Sequence, residues 1–235
     1  GLLEEEQGNY RKAQAYYTEA FSIRTRLDDS WELTDSLINL GYIYFVLSEY
    51  EQSQVYLKQA EQTAVVNNDA LSLIKVRQIL AQLKVQQGEW GQAFQLFKIS
   101  GEDAAAIDLT EETLIAKAFL AKLAGLHGNF TQAEQQLLSF IEQAEQQANP
   151  RAAVEFRLWL VELYQHSAQY TKAAQQLALL KQEERYPSNN EQRQSLRLLN
   201  IYQLMASANL KAATEQLQQL QADLLNLREN LQKNL

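Results

Sequence analysis

The chain has no cysteine, so disulfides and thiolate metal sites are excluded. Two prolines and eight glycines in 235 residues are too few turn-formers for a fold of many short strands and sharp corners. Basic runs are absent as well. With 29 acidic against 21 basic residues, the formal charge is −8. Phosphate recognition rests on clustered Lys and Arg, so no nucleic-acid contact is expected, and the acidity reads as a solubility feature. No apolar stretch approaches the roughly 18 residues of a bilayer span, and no secretory signal is visible. The chain opens on Gly1-Leu2-Leu3 in mid-pattern. The expectation is a cytoplasmic piece of a longer protein, with targeting segments free to lie outside it.

What is present favours helices. Apolar residues make up 46%, enough for a sizeable core, and Leu, Ala, Gln and Glu dominate, all good helix formers. Internal repetition is then the strongest signal. Six segments align without gaps: GNYRKAQAYYTEA from Gly8, SEYEQSQVYLKQA from Ser48, GEWGQAFQLFKIS from Gly88, GNFTQAEQQLLSF from Gly128, AQYTKAAQQLALL from Ala168 and ANLKAATEQLQQL from Ala208, always 40 residues apart. Their aromatic column is Tyr10, Tyr50, Trp90, Phe130 and Tyr170, with Leu210 last. The small column is Ala13, Ser53, Ala93, Ala133, Ala173 and Ala213. Tyr17, Leu57, Phe97, Leu137, Leu177 and Leu217 follow four residues on. Offsets of three and four share a helical face.

Upstream of each segment a second pattern pairs Leu40, Leu80, Leu120 and Leu160 with Gly41, Ala81, Ala121 and Val161. Each unit therefore reads as helix A, a tight turn at the Gly/Ser/Ala position, and helix B. Helices A are expected at 30–46, 69–86, 110–126, 150–166 and 190–207, after a helix B remnant at 8–27. Boundary signals accompany these spans. Asn149-Pro150 offers an N-cap before a first-position Pro. Ser188 with Glu191, behind Pro187, fits a capping box, Asp108 with Glu111 has the same spacing, and Gly101 reads as a C-terminal cap of the third helix B.

These columns resemble the tetratricopeptide repeat. LGYIYFVLSEYEQSQVYLKQA carries its marks at Leu40, Gly41, Tyr44, Tyr50, Ser53, Leu57 and Ala60, and the first segment supplies Gly8, Tyr10, Ala13, Tyr17 and Ala20. The family repeat is 34 residues; this one is 40. The longer unit is similar to those of kinesin light chains, cell-polarity adaptors and sensor domains of bacterial regulators. In the last unit Asn200-Ile201 replaces the Leu-Gly pair. The resemblance implies an all-α, right-handed superhelix (an α-solenoid) over 1–235. It would comprise about five helix pairs with an N-terminal half repeat and a long C-terminal helix.

It also implies that helices A line a concave groove for a protein or peptide. In the 40-residue register the groove positions are Asp35, Asn39 and Tyr42, then Lys75, Gln78 and Gln82, then Lys122 with Phe119, then Glu155, Trp159 and Glu162, and finally Tyr202. An amide at Asn39 can donate to and accept from a peptide backbone, or stand exposed without a partner. Its equivalents are Ile79, Phe119, Trp159 and Leu199, so a row of peptide-clamping Asn is absent. Lys75 and Lys122 can receive a carboxylate. Trp159 and Phe119 are either groove anchors or core. His127 and His166 read as solvated turn residues. With no phosphate loop, HExxH or nucleophile elbow, no enzyme activity, cofactor or metal is expected.

The C-terminal helix spaces Leu217, Leu220, Leu224, Leu227 and Leu231 by threes and fours, a heptad seam. It either caps the array or pairs with a second copy as a coiled coil that begins near 217. The function expected is a binding scaffold. The alternative is the sensory module of a bacterial signalling protein, its C-terminal helix relaying to an output domain outside the chain.

Overall fold

A computed structural model describes the chain apart from residues 28–29, 183–189, 208 and 234–235, and apart from the side chains of 30–31, 181–182, 190–191, 194, 210–211 and 224–233. Among the described residues all regular structure is helical. The helices are α1 Leu2–Glu6, α2 Tyr10–Leu27, α3 Ser30–Val46, α4 Tyr50–Val66, α5 Ala70–Gln86, α6 Trp90–Ala106, α7 Thr110–Leu126, α8 Phe130–Gln146, α9 Pro150–His166, α10 Tyr170–Gln182, α11 Asn190–Ala206 and α12 Leu210–Lys233. The five expected A helices are α3, α5, α7, α9 and α11. A short α1 precedes the first helix B, a turn of helix that the sequence pattern left unassigned. Helices α3 to α9 are each 17 residues long and are joined by three-residue connections. The six residues beyond the usual repeat are thus shared between A and B.

The fully described connections are built alike. In each the middle residue is left-handed: Gly8, Ser48, Asn68, Gly88, Asp108, Gly128, Ala148 and Ala168 have φ between 53° and 109°. The next N–H reaches the carbonyl five residues back, as Glu49 to Tyr44 (2.8 Å), Glu89 to Lys84 (2.8 Å) and Asn149 to Ala144 (2.9 Å). This satisfies carbonyls that a helix end leaves bare. The same residue then caps the following helix: the Glu49 carbonyl accepts from the Ser53 N–H at 3.0 Å. At Asp69 and Asn149 the side chain caps too, accepting from Ser72 (3.0 Å) and Ala152 (3.1 Å) N–H groups. A non-glycine residue in this conformation costs about 1–2 kcal/mol, which the recovered hydrogen bonds offset.

Two boundary expectations are corrected by this geometry. Asp108 is the left-handed residue of its turn (φ 58°) and α7 begins at Thr110, so Asp108 with Glu111 is not a capping box. Gly101 lies inside α6 and is buried. It is a contact residue rather than a cap, because a Cβ there would stand 2.9 Å from the Ala116 Cβ on α7. Ser188, Pro187 and the Glu191 side chain lie outside the described residues.

The chain divides into two compact units, Gly1–Leu123 and Ala124–Leu235, the boundary falling within α7. In the first, Leu37, Ile38, Leu57, Ala60, Val76, Leu80 and Leu83 make one core across α3, α4 and α5. Ala13, Tyr17, Leu40 and Ile43 make another between α2 and α3. The Ser53 hydroxyl, buried in the small column, donates to the Gly41 carbonyl at 2.7 Å. In the second unit Ala133, Leu137, Phe156, Leu160, Leu163, Ala173, Leu177 and Leu180 are buried on α8, α9 and α10.

The aromatic column sits higher than the sequence implied: Tyr10, Tyr50, Phe130 and Tyr170 are half-buried and Trp90 is exposed. Leu217 departs further. Its equivalents Tyr17, Leu57, Phe97, Leu137 and Leu177 are buried, whereas Leu217 is 51% exposed.

The helical glycines are of two kinds. A Cβ on Gly125 would stand 2.6 Å from the Ala133 Cβ and 2.7 Å from Leu163 Cδ1, while one on Gly91 meets nothing within 4 Å. The Ala133 methyl is fixed to its backbone and cannot yield. Gly125→Ala is therefore expected to destabilise by about 1–3 kcal/mol through overpacking. Gly91→Ala should stabilise by up to about 1 kcal/mol through helix propensity. Urea unfolding of the two variants beside the parent measures both.

Candidate functional site

The fold sorts the expected groove residues into exposed and structural ones. Within the first unit α3 and α5 lie side by side. Asp35 and Lys75 are exposed, and Asn39, Tyr42 and Gln82 are half-buried. By the common register these occupy one face of each helix. Gln78 is withdrawn from that face: it is 8% exposed and its Nε2 donates to the Glu112 carbonyl on α7 at 3.0 Å. Lys122 is half-buried with Nζ 5.5 Å above the Phe119 ring. That ring is buried and stacks on Phe97, centroids 4.0 Å apart.

In the second unit Glu155 and Glu162 are half-buried on α9. Trp159 is 9% exposed and lies 5.3 Å from the Phe156 ring. Tyr202 is exposed on α11. Phe119 and Trp159 are therefore core side chains that show an edge. The net charge at these positions differs between the units: Asp35, Lys75 and Lys122 in the first are net positive, and Glu155 and Glu162 in the second are negative. His127 and His166 are exposed at helix ends. Among the described residues no cluster of three His, Asp or Glu side chains could hold a metal ion.

Several polar groups escaped the column reading because they act between helices. Gln165 repeats the role of Gln78, its Nε2 donating to the Leu199 carbonyl on α11 at 2.8 Å. Arg77 on α5 pairs with Asp103 on α6, and Arg197 on α11 pairs with Asp223 on α12 at 2.7 Å. The two pairs have identical spacing three units apart, so the 40-residue register itself held the signal. Glu134 on α8 accepts from the Tyr164 hydroxyl on α9 (2.8 Å) and from Lys172 Nζ on α10 (2.6 Å), with Lys172 5.4 Å above the Tyr164 ring.

Ionisation follows these contacts. Burial and then the Glu134 carboxylate push the Tyr164 hydroxyl well above its ordinary value. Burial and Glu5 do the same to Tyr17. Burial pulls Glu134 upward, but hydrogen bonds from Lys172 and Tyr164 and the Lys172 charge outweigh it and hold the carboxyl below the usual range.

No protein-family model matches the chain, and no curated protein does. Solved structures do. BtubC (BKLC) from P. vanneervenii is 15% identical with a TM-score of 0.60, covering 95% of this chain and 92% of that one. A putative kinesin light chain with nearly identical TPR-like repeats from Podosopora anserina is 14% identical with a TM-score of 0.52, covering 84% and 90%. A substituted variant of that kinesin light chain is 15% identical with a TM-score of 0.54, covering 75% and 87%. The chain has the all-α repeat fold of tetratricopeptide-type proteins. Its repeats are of the kind seen in these kinesin light chain-like structures. No described helix is long and apolar enough to cross a membrane.

Gln78→Ala should cost about 1–3 kcal/mol, because the part-buried bond to the Glu112 carbonyl is lost and that carbonyl is left without this donor. Asn39→Ala and Lys75→Ala should each stay within about 0.5 kcal/mol of the parent, as surface changes do; denaturant unfolding of the three separates structural from available groups. A pH series tests the Glu134 cluster. Because the folded Tyr17 and Tyr164 hydroxyls hold their protons more tightly, their contribution is complete below about pH 10 and is lost above it. Glu134 contributes above the ordinary glutamate range and loses that contribution as pH falls through it. Tyr164→Phe should flatten the alkaline decline in urea midpoint.

Proposed function

We propose that the chain is a protein-binding scaffold that takes a peptide segment on the A-helix face of its first unit. The observation that carries this reading is the division of labour on α3 and α5. Gln78 and the column residues Leu40 and Leu80 are consumed by packing, while Asp35, Asn39, Lys75 and Gln82 keep solvent access on adjacent helices. Such a set suits a peptide with a carboxylate near an exposed backbone amide. Lys75 meets the charge, and the Asn39 and Gln82 amides donate and accept. A tetratricopeptide-type fold supports the role, because stacked helix pairs offer an extended rigid surface for recognition.

The length of α12, 24 residues against 17 for the preceding full-length helices, favours a second reading. In that reading the scaffold is a sensor whose ligand is reported through this helix; it predicts slowed amide exchange in α12 when peptide binds.

Selecting peptides from a random library with the purified chain tests the first reading. The double variant Asn39→Ala with Lys75→Ala should lose at least about tenfold in affinity for the selected peptides, or about 1.4 kcal/mol, with unchanged helicity. Equal binding by parent and variant would remove the face from α3 and α5.

A further inference from the structure

In the first unit an exposed apolar patch forms where α4 and α6 end and α5 begins. Arg77 on α5 draws the two ends together, its guanidinium bonding Asp103 of α6 at 2.5 Å and reaching Glu61 of α4 at 3.7 Å. Four residues on, along the same helical stripes, stand Val65 and Ile107, 55% and 47% exposed. On α5 the residues four and seven before Arg77 are Leu73, half-buried, and Ala70, exposed. Val66, at 80% exposure, extends the apolar surface at the end of α4. The fold does not require this character. In the second unit Arg157 is the register equivalent of Arg77, and Glu145 takes the place of Val65 and pairs with it. Gln146 and Gln147 stand where Val66 and Ile107 do. The patch also lies inside the array. On one side α3 packs against α4 and α5, and on the other α7 meets α6, where a Cβ on Gly101 would stand 2.9 Å from that of Ala116.

We infer that this patch docks a basic amphipathic helix of a partner protein. Charge selects that occupant. Ile99–Ala116 carries Glu102, Asp103, Asp108, Glu111 and Glu112, and Gln59–Ile74 carries Glu61 and Asp69; neither stretch contains Lys, Arg or His. Of the bases that flank them, Arg77 is spent on Glu61 and Asp103, and Lys98 lies 4.0 Å from Glu102. Lys58 stands about two turns before Val65, Lys117 follows Ile107 by ten residues, and Lys75 is turned about 160° from Arg77 around α5. A surface that is apolar at its centre and acidic around it fits a narrow apolar stripe bordered by Lys or Arg. The same charges turn other occupants away. A second copy would set Asp69, Asp108 and Glu111 against their own like, and anionic lipid or nucleic acid would meet its own sign. Regular structure among the described residues is all helical, so an extended segment finds no strand edge to pair with, and side chains must carry the contact.

The inference is independent of what binds the A-helix face. The probe is a fluorescent Leu/Lys peptide of amphipathic helical pattern, about 18 residues long so that it holds a helix. Its controls are the same peptide with Glu for Lys and a scrambled Leu/Lys sequence that breaks the stripe. In anisotropy titrations to about 100 µM, the chain should bind the Leu/Lys helix at least about tenfold more tightly than either control. Val65→Gln with Ile107→Gln should lose about tenfold, or about 1.4 kcal/mol, with parental circular dichroism, since both positions are already half in water. Asp108→Asn with Glu111→Gln should lose about threefold at low salt, Asn being at ease in the left-handed turn. Asn39→Ala with Lys75→Ala should bind the probe as the parent does. No binding of the Leu/Lys helix, equal binding of either control, or full affinity in the Val65→Gln, Ile107→Gln variant overturns the inference. So does an equal loss in the Asn39→Ala, Lys75→Ala variant. A parent dimer that Val65→Gln with Ile107→Gln dissociates also overturns it, by making a second copy the occupant.

Discussion

One hydrogen bond fixes the register of everything else: the N–H at the end of each connection reaching the carbonyl five residues back. It recurs at Asn9, Glu49, Asp69, Glu89, Leu109, Asn129, Asn149 and Gln169. It forces the residue before it into a left-handed conformation and makes its donor the first capping carbonyl of the next helix. A helix can neither overrun nor start late without breaking it. The small columns face one another because the helices between these turns have a fixed length. With the turns set, Ala13 and Ser53 occupy their packed positions and the Gly41 carbonyl lies where the Ser53 hydroxyl can donate to it.

That constraint divides the polar residues into two populations. Some are recruited to hold helices together, among them Gln78, Gln165, Arg77, Arg197 and the Glu134–Tyr164–Lys172 cluster. The remainder, such as Asp35, Asn39 and Lys75, keep solvent access at the positions proposed for recognition. Sequence alone assigned Gln78 to the second group, since an amide on a helix surface looks the same whether or not a neighbouring backbone takes its proton.

Much of the fold was legible because the signal was repeated. A single Leu-Gly pair with an aromatic is weak, but six aligned segments at one interval place the helices A within one residue of α3, α5, α7, α9 and α11. The misreadings at Asp108 and Gly101 share one cause. Asp and Gly favour both caps and left-handed turns or close contacts, and only the position of the neighbouring helix decides between them. Ala148 and Ala168 gave no warning of their left-handed backbone, because alanine has no preference for it; the twenty-residue spacing of the turns was the available clue. The candidate site was less legible than the fold. Phe119 and Trp159 have the residue type of an anchor, and their burial depends on neighbours that no local pattern encodes.

The equal length of helices α3 to α9 has a consequence for how that part of the chain tolerates change in length. Within α3 to α9, removing or duplicating forty residues returns the turns and the small columns to equivalent places. Twenty residues would preserve the turns but exchange the roles of the two helices, setting Gly41-type positions against side chains shaped for the other partner. A single-residue deletion within a helix turns everything beyond it by about 100° until the next connection absorbs the error. The chain is therefore quantised in length, and its natural increment is the helix pair.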